Sequence, residues 1–114
     1  GMSPHRGCMP AVRFSLRCDT GLGDRLFVVG GHRDFGSWDP ECSKVELHTS
    51  ASGYPMWHAE WQRRDSADVV RFKFVVRGAD GSLRWEDSID DRTLPVLAPG
   101  RPALEVHAEF GQVP

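Results

Sequence analysis

From Ala11 the chain alternates in character. Val12, Phe14, Leu16 and Cys18 are apolar, and Arg13, Ser15 and Arg17 fill the places between them, the pattern of a strand with one buried and one wetted face. The same period of two returns over Met56 to Gln62, where Trp57, Ala59 and Trp61 oppose His58, Glu60 and Gln62. It is clearest where Val70, Phe72, Phe74 and Val76 oppose Arg71, Lys73 and Arg77, and it recurs over Ala103 to Phe110. Leu26 to Val29 is continuously apolar and stops at Gly30-Gly31, which predicts a central strand covered on both faces. Shorter strands are expected at Lys44 to His48, at Leu83 to Glu86 and, broken by proline, around Thr93 to Leu97.

The connections are turns and loops. Asp19 to Gly23 and Thr49 to Pro55 lack periodicity, and Ala79-Asp80-Gly81 suits a hairpin. In the longer loop through Phe35-Gly36-Ser37-Trp38-Asp39-Pro40, Gly and Pro exclude regular structure and leave Trp38 at the surface. No segment repeats apolar positions at helical spacing, so helix content is expected near zero. Seven or eight short strands at this spacing predict an all-β fold, an antiparallel β-sandwich of immunoglobulin-like type.

Length and charge narrow the reading. At 114 residues there is room for one core. Residues 1–10 read as a flexible leader whose Gly1-Met2-Ser3 start resembles an expression scar, with the folded module expected over 11–114. The net charge is −2 with neither sign clustered, which argues against a nucleic-acid or membrane partner. No run approaches the roughly 20 apolar residues of a membrane span. Cys8, Cys18 and Cys42 are odd in number and form no CxxC, so neither a disulfide framework nor a zinc site is indicated and a reducing, intracellular (cytoplasmic) setting is favoured. No cofactor or metal is expected.

Catalysis finds little support. There is no phosphate loop and no nucleophile elbow. The dense acidic group Glu86, Asp87, Asp90 and Asp91 contains the paired carboxylates of a glycosidase, but a small sandwich seldom builds the cleft that chemistry needs. The tryptophans say more. Trp38 in its loop and Trp85 beside the acidic turn are not demanded by the period-two core, and rings near a lysine and carboxylates suit a sugar, whose C–H face stacks while its hydroxyls are bonded.

The order of motifs resembles the family 20 carbohydrate-binding module, the starch-binding domain. It is carried by Val12-Arg13-Phe14, Leu26-Phe27-Val28-Val29-Gly30-Gly31, Phe35-Gly36-Ser37-Trp38-Asp39-Pro40, Pro55-Met56-Trp57, Phe72-Lys73-Phe74 and Trp85-Glu86 followed by Asp91-Arg92. The resemblance implies non-catalytic binding of starch, amylopectin or glycogen, with malto-oligosaccharide and cyclodextrin as smaller ligands, in a module fused to a glucan-active enzyme. It implies a carbohydrate site of Trp38, Lys73, Trp85, Glu86 and Asp91, the tryptophans stacking and the polar three bonding hydroxyls.

Two departures from the pattern stand out. Asp91 occupies a place where many starch binders carry Asn, and in this it resembles the glycogen-binding module of laforin. The family's second glucan site uses two tyrosines, whereas this chain has Leu22 at the first place and, counting back from Trp57, Ser50 at the other, with Tyr54 out of register. Trp57 is the one residue of that second site retained. The rival reading is a protein-interaction sandwich without glucan binding, in which Trp38 and Trp85 pack internally or against a partner protein.

Overall fold

The structure is a computed structural model that describes residues 11–63, 69–94 and 103–113. Among the described residues eight strands follow one another: β1 (Ala11–Arg17), β2 (Arg25–Gly30), β3 (Glu46–Leu47), β4 (Met56–Gln62), β5 (Val70–Arg77), β6 (Leu83–Trp85), β7 (Arg92–Leu94) and β8 (Ala103–Glu109). They form a three-stranded sheet in the order β4-β1-β8 and a five-stranded sheet in the order β3-β2-β5-β6, with β7 also paired to β5. The sandwich and the near-absence of helix are as the alternation implies.

Each alternating segment turns its apolar row inward. Val12, Phe14 and Leu16 of β1 meet Leu26 and Val28 of β2 and Val70, Phe72, Phe74 and Val76 of β5, all buried. Phe14 is the centre of this contact, with edge-to-face rings of Phe72 at 5.7 Å and Phe74 at 6.0 Å, a geometry the ring quadrupoles favour. Trp57 and Trp61 of β4 close the same core. Burial of Phe27 and Val29 as well as Leu26 and Val28 confirms β2 as a strand covered on both faces.

Several expectations shift. The sandwich is not wholly antiparallel: β1 and β8 run parallel, with Val12 opposite Leu104 and Phe14 opposite Val106. No hairpin joins strands so far apart in sequence, so nothing local imposes the antiparallel sense. The strand expected over Lys44 to His48 contracts to Glu46–Leu47, with His48 joined to His58 of β4 by an isolated bridge. β6 ends at Trp85, because Glu86 turns its side chain inward rather than extending the ladder. The edge strand near Thr93 is Arg92–Leu94; its continuation to Leu97, the leader 1–10 and Cys8 lie outside the described residues.

Candidate functional site

The outer face of the five-stranded sheet, away from the core, carries a small apolar platform. Phe27 and Val29 of β2 and Val75 of β5 are buried there, with Trp85 packed half-buried on them. The register explains the grouping, since Trp85 lies opposite Val75 and Lys73 opposite Val29. Odd-numbered positions of β2 and β5 share this face.

Trp38 reaches the same face from the loop that leaves β2. The loop begins where Gly31 N donates to Arg71 O at 2.9 Å, and the Trp38 Nε1 stands 3.5 Å from where a Cβ on Gly31 would lie. The loop is held from inside. Phe35 is buried with its ring 4.6 Å from that of Trp61, the Trp61 Nε1 donates to Asp34 at 2.8 Å, and Lys44 N donates to Asp34 O at 2.8 Å. Two short 3-10 turns, Gly36–Trp38 and Pro40–Cys42, occupy the stretch expected to be irregular. In the first, Gly36, Ser37 and Trp38 have φ of 80°, 51° and 72°. Left-handed backbone at a serine and a tryptophan costs energy and persists only where the surroundings enforce it. The consequence is an indole that stays 38% exposed on a fixed support.

Lys73 lies between these two indoles in the register of β5. Its Nζ donates to Glu86 O at 3.0 Å and to Ile89 O at 2.8 Å. An ammonium has three protons, so one remains for a ligand. The Glu86 carboxylate is placed otherwise than the resemblance implies. The residue is 1% exposed, and its two oxygens accept from Phe74 N, from Arg92 Nε and Nη2, and from Gly111 N, at 2.7 to 3.0 Å. A carboxylate so enclosed and so fully bonded has no lone pair left to offer a sugar. Asp91 is exposed at the end of the same loop and holds no hydrogen bond among the described residues; with Ile89, Asp90 and Arg92 it lines a cleft of about 320 Å³. The structure thus brings Trp38, Lys73 and Trp85 to one face and folds the Glu86 side chain beneath it, while Asp91 is exposed beside a cleft it shares with Phe72 of the core face and with Val106 and His107 of β8.

The starch-binding domain profile matches residues 9–104. The chain belongs to that family. A glucoamylase of Neurospora crassa is 31% identical over 81 residues, 69% of this chain and 13% of its own length. A cyclomaltodextrin glucanotransferase of Paenibacillus macerans is 28% identical over 82 residues, 70% of this chain and 11% of its own length. Among solved structures, the glucoamylase of Hormoconis resinae superposes with a TM-score of 0.74 at 25% identity, over 90% of this chain and 17% of that one. The Hypocrea jecorina glucoamylase, with a TM-score of 0.73 at 24% identity over 90% of this chain and 17% of that one, shares the fold. The chain therefore spans only a small fraction of the proteins it matches.

This starch-binding domain has a second concavity, where Leu22, Ser50, Tyr54 and Trp57 come together. A cleft of about 440 Å³ is lined by Thr20 to Asp24, Thr49 to Ala51, Tyr54 and Trp57. Tyr54 N donates to Ser50 O at 2.8 Å, closing a turn that swings the ring across the cleft, where its hydroxyl accepts from Thr20 N at 2.7 Å and donates to Thr20 O at 3.1 Å. Trp57 is 7% exposed and anchored by its Nε1 to Cys18 O at 3.1 Å; Leu22 stands fully exposed at the rim.

Proposed function

We propose that this domain binds α-1,4-glucan without catalysis and holds an attached enzyme at its polysaccharide. Trp38 and Trp85 stack on glucose rings, offering apolar faces to the C–H faces of the sugar. The remaining proton of Lys73 and the free carboxylate of Asp91 bond ring hydroxyls, while Glu86 fixes the loop between them rather than touching sugar. The observation that carries this reading is the Trp85 indole on Val75 and the Trp38 indole against Gly31, with Lys73 between them in register making two of its three possible donor bonds. The matched relatives are named for a glucoamylase and a cyclomaltodextrin glucanotransferase, which supports starch, amylopectin or glycogen as the polymer and malto-oligosaccharide as the minimal ligand.

A second glucan subsite at the Tyr54 and Trp57 cleft belongs to the same proposal. Each ring stack contributes about 1–3 kcal/mol, by analogy with base stacking, so one site is weak and avidity on a branched polymer does the rest. The test is titration of tryptophan fluorescence with β-cyclodextrin, a closed turn of α-glucan, against a cellulose oligomer. A saturable change with cyclodextrin alone is expected, its sheet-face component lost in Trp38→Ala and in Trp85→Ala while the fold is kept and any response from the Tyr54 and Trp57 cleft remains. A folded sample without response would overturn glucan binding in favour of a protein partner on the same face.

A further inference from the structure

We propose that Arg92, Ser88 and the 110–112 turn are positioning elements of the carbohydrate site, acting through the buried Glu86 carboxylate; the proposal rests on the glucan reading of the Trp38–Lys73–Trp85 face. The argument begins with a gap in the sheet. β6 pairs with Val75 to Arg77 of β5 and β7 pairs with Val70 to Phe72, both along the edge of β5 not taken by β2. Between them the N–H of Phe74 has no strand to bond, and a buried donor without a partner is costly. The Glu86 carboxylate occupies the gap and accepts that N–H at 2.9 Å. The loop 86–91 must bulge out here, and it is this loop that follows Trp85, offers its carbonyls to Lys73 and carries Asp91.

What holds the carboxylate in the gap lies on the side of the loop opposite Lys73. Arg92 forks onto both Glu86 oxygens, at 3.0 and 2.7 Å, and its Nη2 also donates to Glu109 O and Gln112 O, each at 3.0 Å. Its guanidinium lies 5.3 Å over the Phe74 ring. Gly111, at φ 75°, directs its N–H to Glu86 at 2.7 Å, and Ser88 Oγ donates to Gly111 O at 3.0 Å. Arg84 over the Phe110 ring at 5.0 Å ties the same turn to β6. The loop is thus clamped between Lys73 on the ligand side and the 109–112 segment on the other. A charge pair this enclosed tolerates loss of neither partner, so loosening Arg92 or Ser88 frees the loop, removes the carbonyls that aim Lys73, and unseats Trp85 one residue before Glu86. None of these groups needs to meet the sugar.

The experiment compares Arg92→Gln, Arg92→Lys and Ser88→Ala by β-cyclodextrin titration well below each variant's melting temperature, alongside amide hydrogen exchange. The expected result is a Kd raised about tenfold in Arg92→Gln and about threefold in Ser88→Ala, with Arg92→Lys between them. Exchange should quicken over 86–91 and 110–112 and stay unchanged in β1 and β4. A purely stabilising role would lower the melting temperature and leave Kd and local exchange as they are, which overturns the proposal. If Arg92→Gln does not fold, Ser88→Ala and Arg92→Lys decide by the same two readings. Should the wild-type domain fail to bind β-cyclodextrin, the glucan reading falls by itself. The exchange arm then judges the clamp: quickened exchange over 86–91 supports it and unchanged exchange overturns it.

Discussion

Lys73 and Glu86 are bound to each other's surroundings twice over. The Lys73 side chain donates to the main-chain carbonyl of Glu86, and the Glu86 side chain accepts from the main-chain N–H of Phe74, the residue after Lys73. The first contact ties the loop after Trp85 to β5, and the second satisfies the sheet's own N–H. Lys73→Met removes both carbonyl bonds and the ligand donor together. Its β-cyclodextrin Kd should rise about tenfold or more, a loss of ~1.4 kcal/mol or above, while Lys73→Arg, with a planar fork in place of a tetrahedral donor, should recover only part of it. Fluorescence titration of the three proteins checks this.

The buried pair below predicts a stability effect of another size. Glu86→Leu strands the Arg92 guanidinium, 11% exposed at its side chain, without its carboxylate, and a broken buried pair costs about 3–5 kcal/mol. Urea unfolding should show a loss of unfolding free energy of that order, with a smaller one for Glu86→Gln, which keeps an acceptor for Phe74 N.

The loop that presents Trp38 has its own dependence. A Cβ on Gly36 would stand 2.7 Å from Ser43 N and 2.9 Å from Cys42 C, at a backbone φ of 80°, so Gly36→Ala must distort the turn at a cost of about 1–3 kcal/mol. The outcome expected is weakened cyclodextrin binding with the far-ultraviolet spectrum of the sandwich retained. Unchanged affinity would show that Trp38 does not need this turn.

Alkaline pH should weaken the fold through one thiol. Burial pushes Cys18 from an ordinary value of 9 up to about 11, so the folded state favours the protonated form. That contribution is complete below pH 9 and is lost as pH rises through about 11. Thermal melts between those limits should fall more steeply in the wild type than in Cys18→Ala. Cys42, exposed, should be labelled by a thiol reagent before Cys18 at neutral pH.

The Tyr54 cleft predicts a stoichiometry. Calorimetry with β-cyclodextrin should give two sites per chain, falling to one in Tyr54→Ala while Trp38→Ala abolishes the other. A single site in the wild type would assign all binding to the sheet face.

Much of this molecule was legible in residue order because a strand's two faces alternate whatever it pairs with. The rows Val12–Leu16 and Val70–Val76 declared which way Phe14, Phe72 and Phe74 point, and the same parity put Lys73 on the outer face. The Gly and Pro around Trp38 marked it as exposed without any knowledge of its neighbours. The motif order, in turn, pointed to the family and its candidate residues.

Other features depended on contacts between distant segments. The parallel pairing of β1 with β8, the sharing of one β5 edge by β6 and β7, and the arrival of Gly111 beneath Glu86 each join stretches that local periodicity treats independently. Glu86 looked like a surface acid because its neighbours Asp87, Asp90 and Asp91 are acidic; only the unpaired Phe74 N–H and the returning Arg92 made burial of its charge favourable. Tyr54, out of register by count, reaches the cleft beside Trp57 through the turn that Ser50 closes. Alternation determined which way side chains face, and tertiary structure decided which of them meet, because pairing free energy resides in both partners and neither carries the other's address.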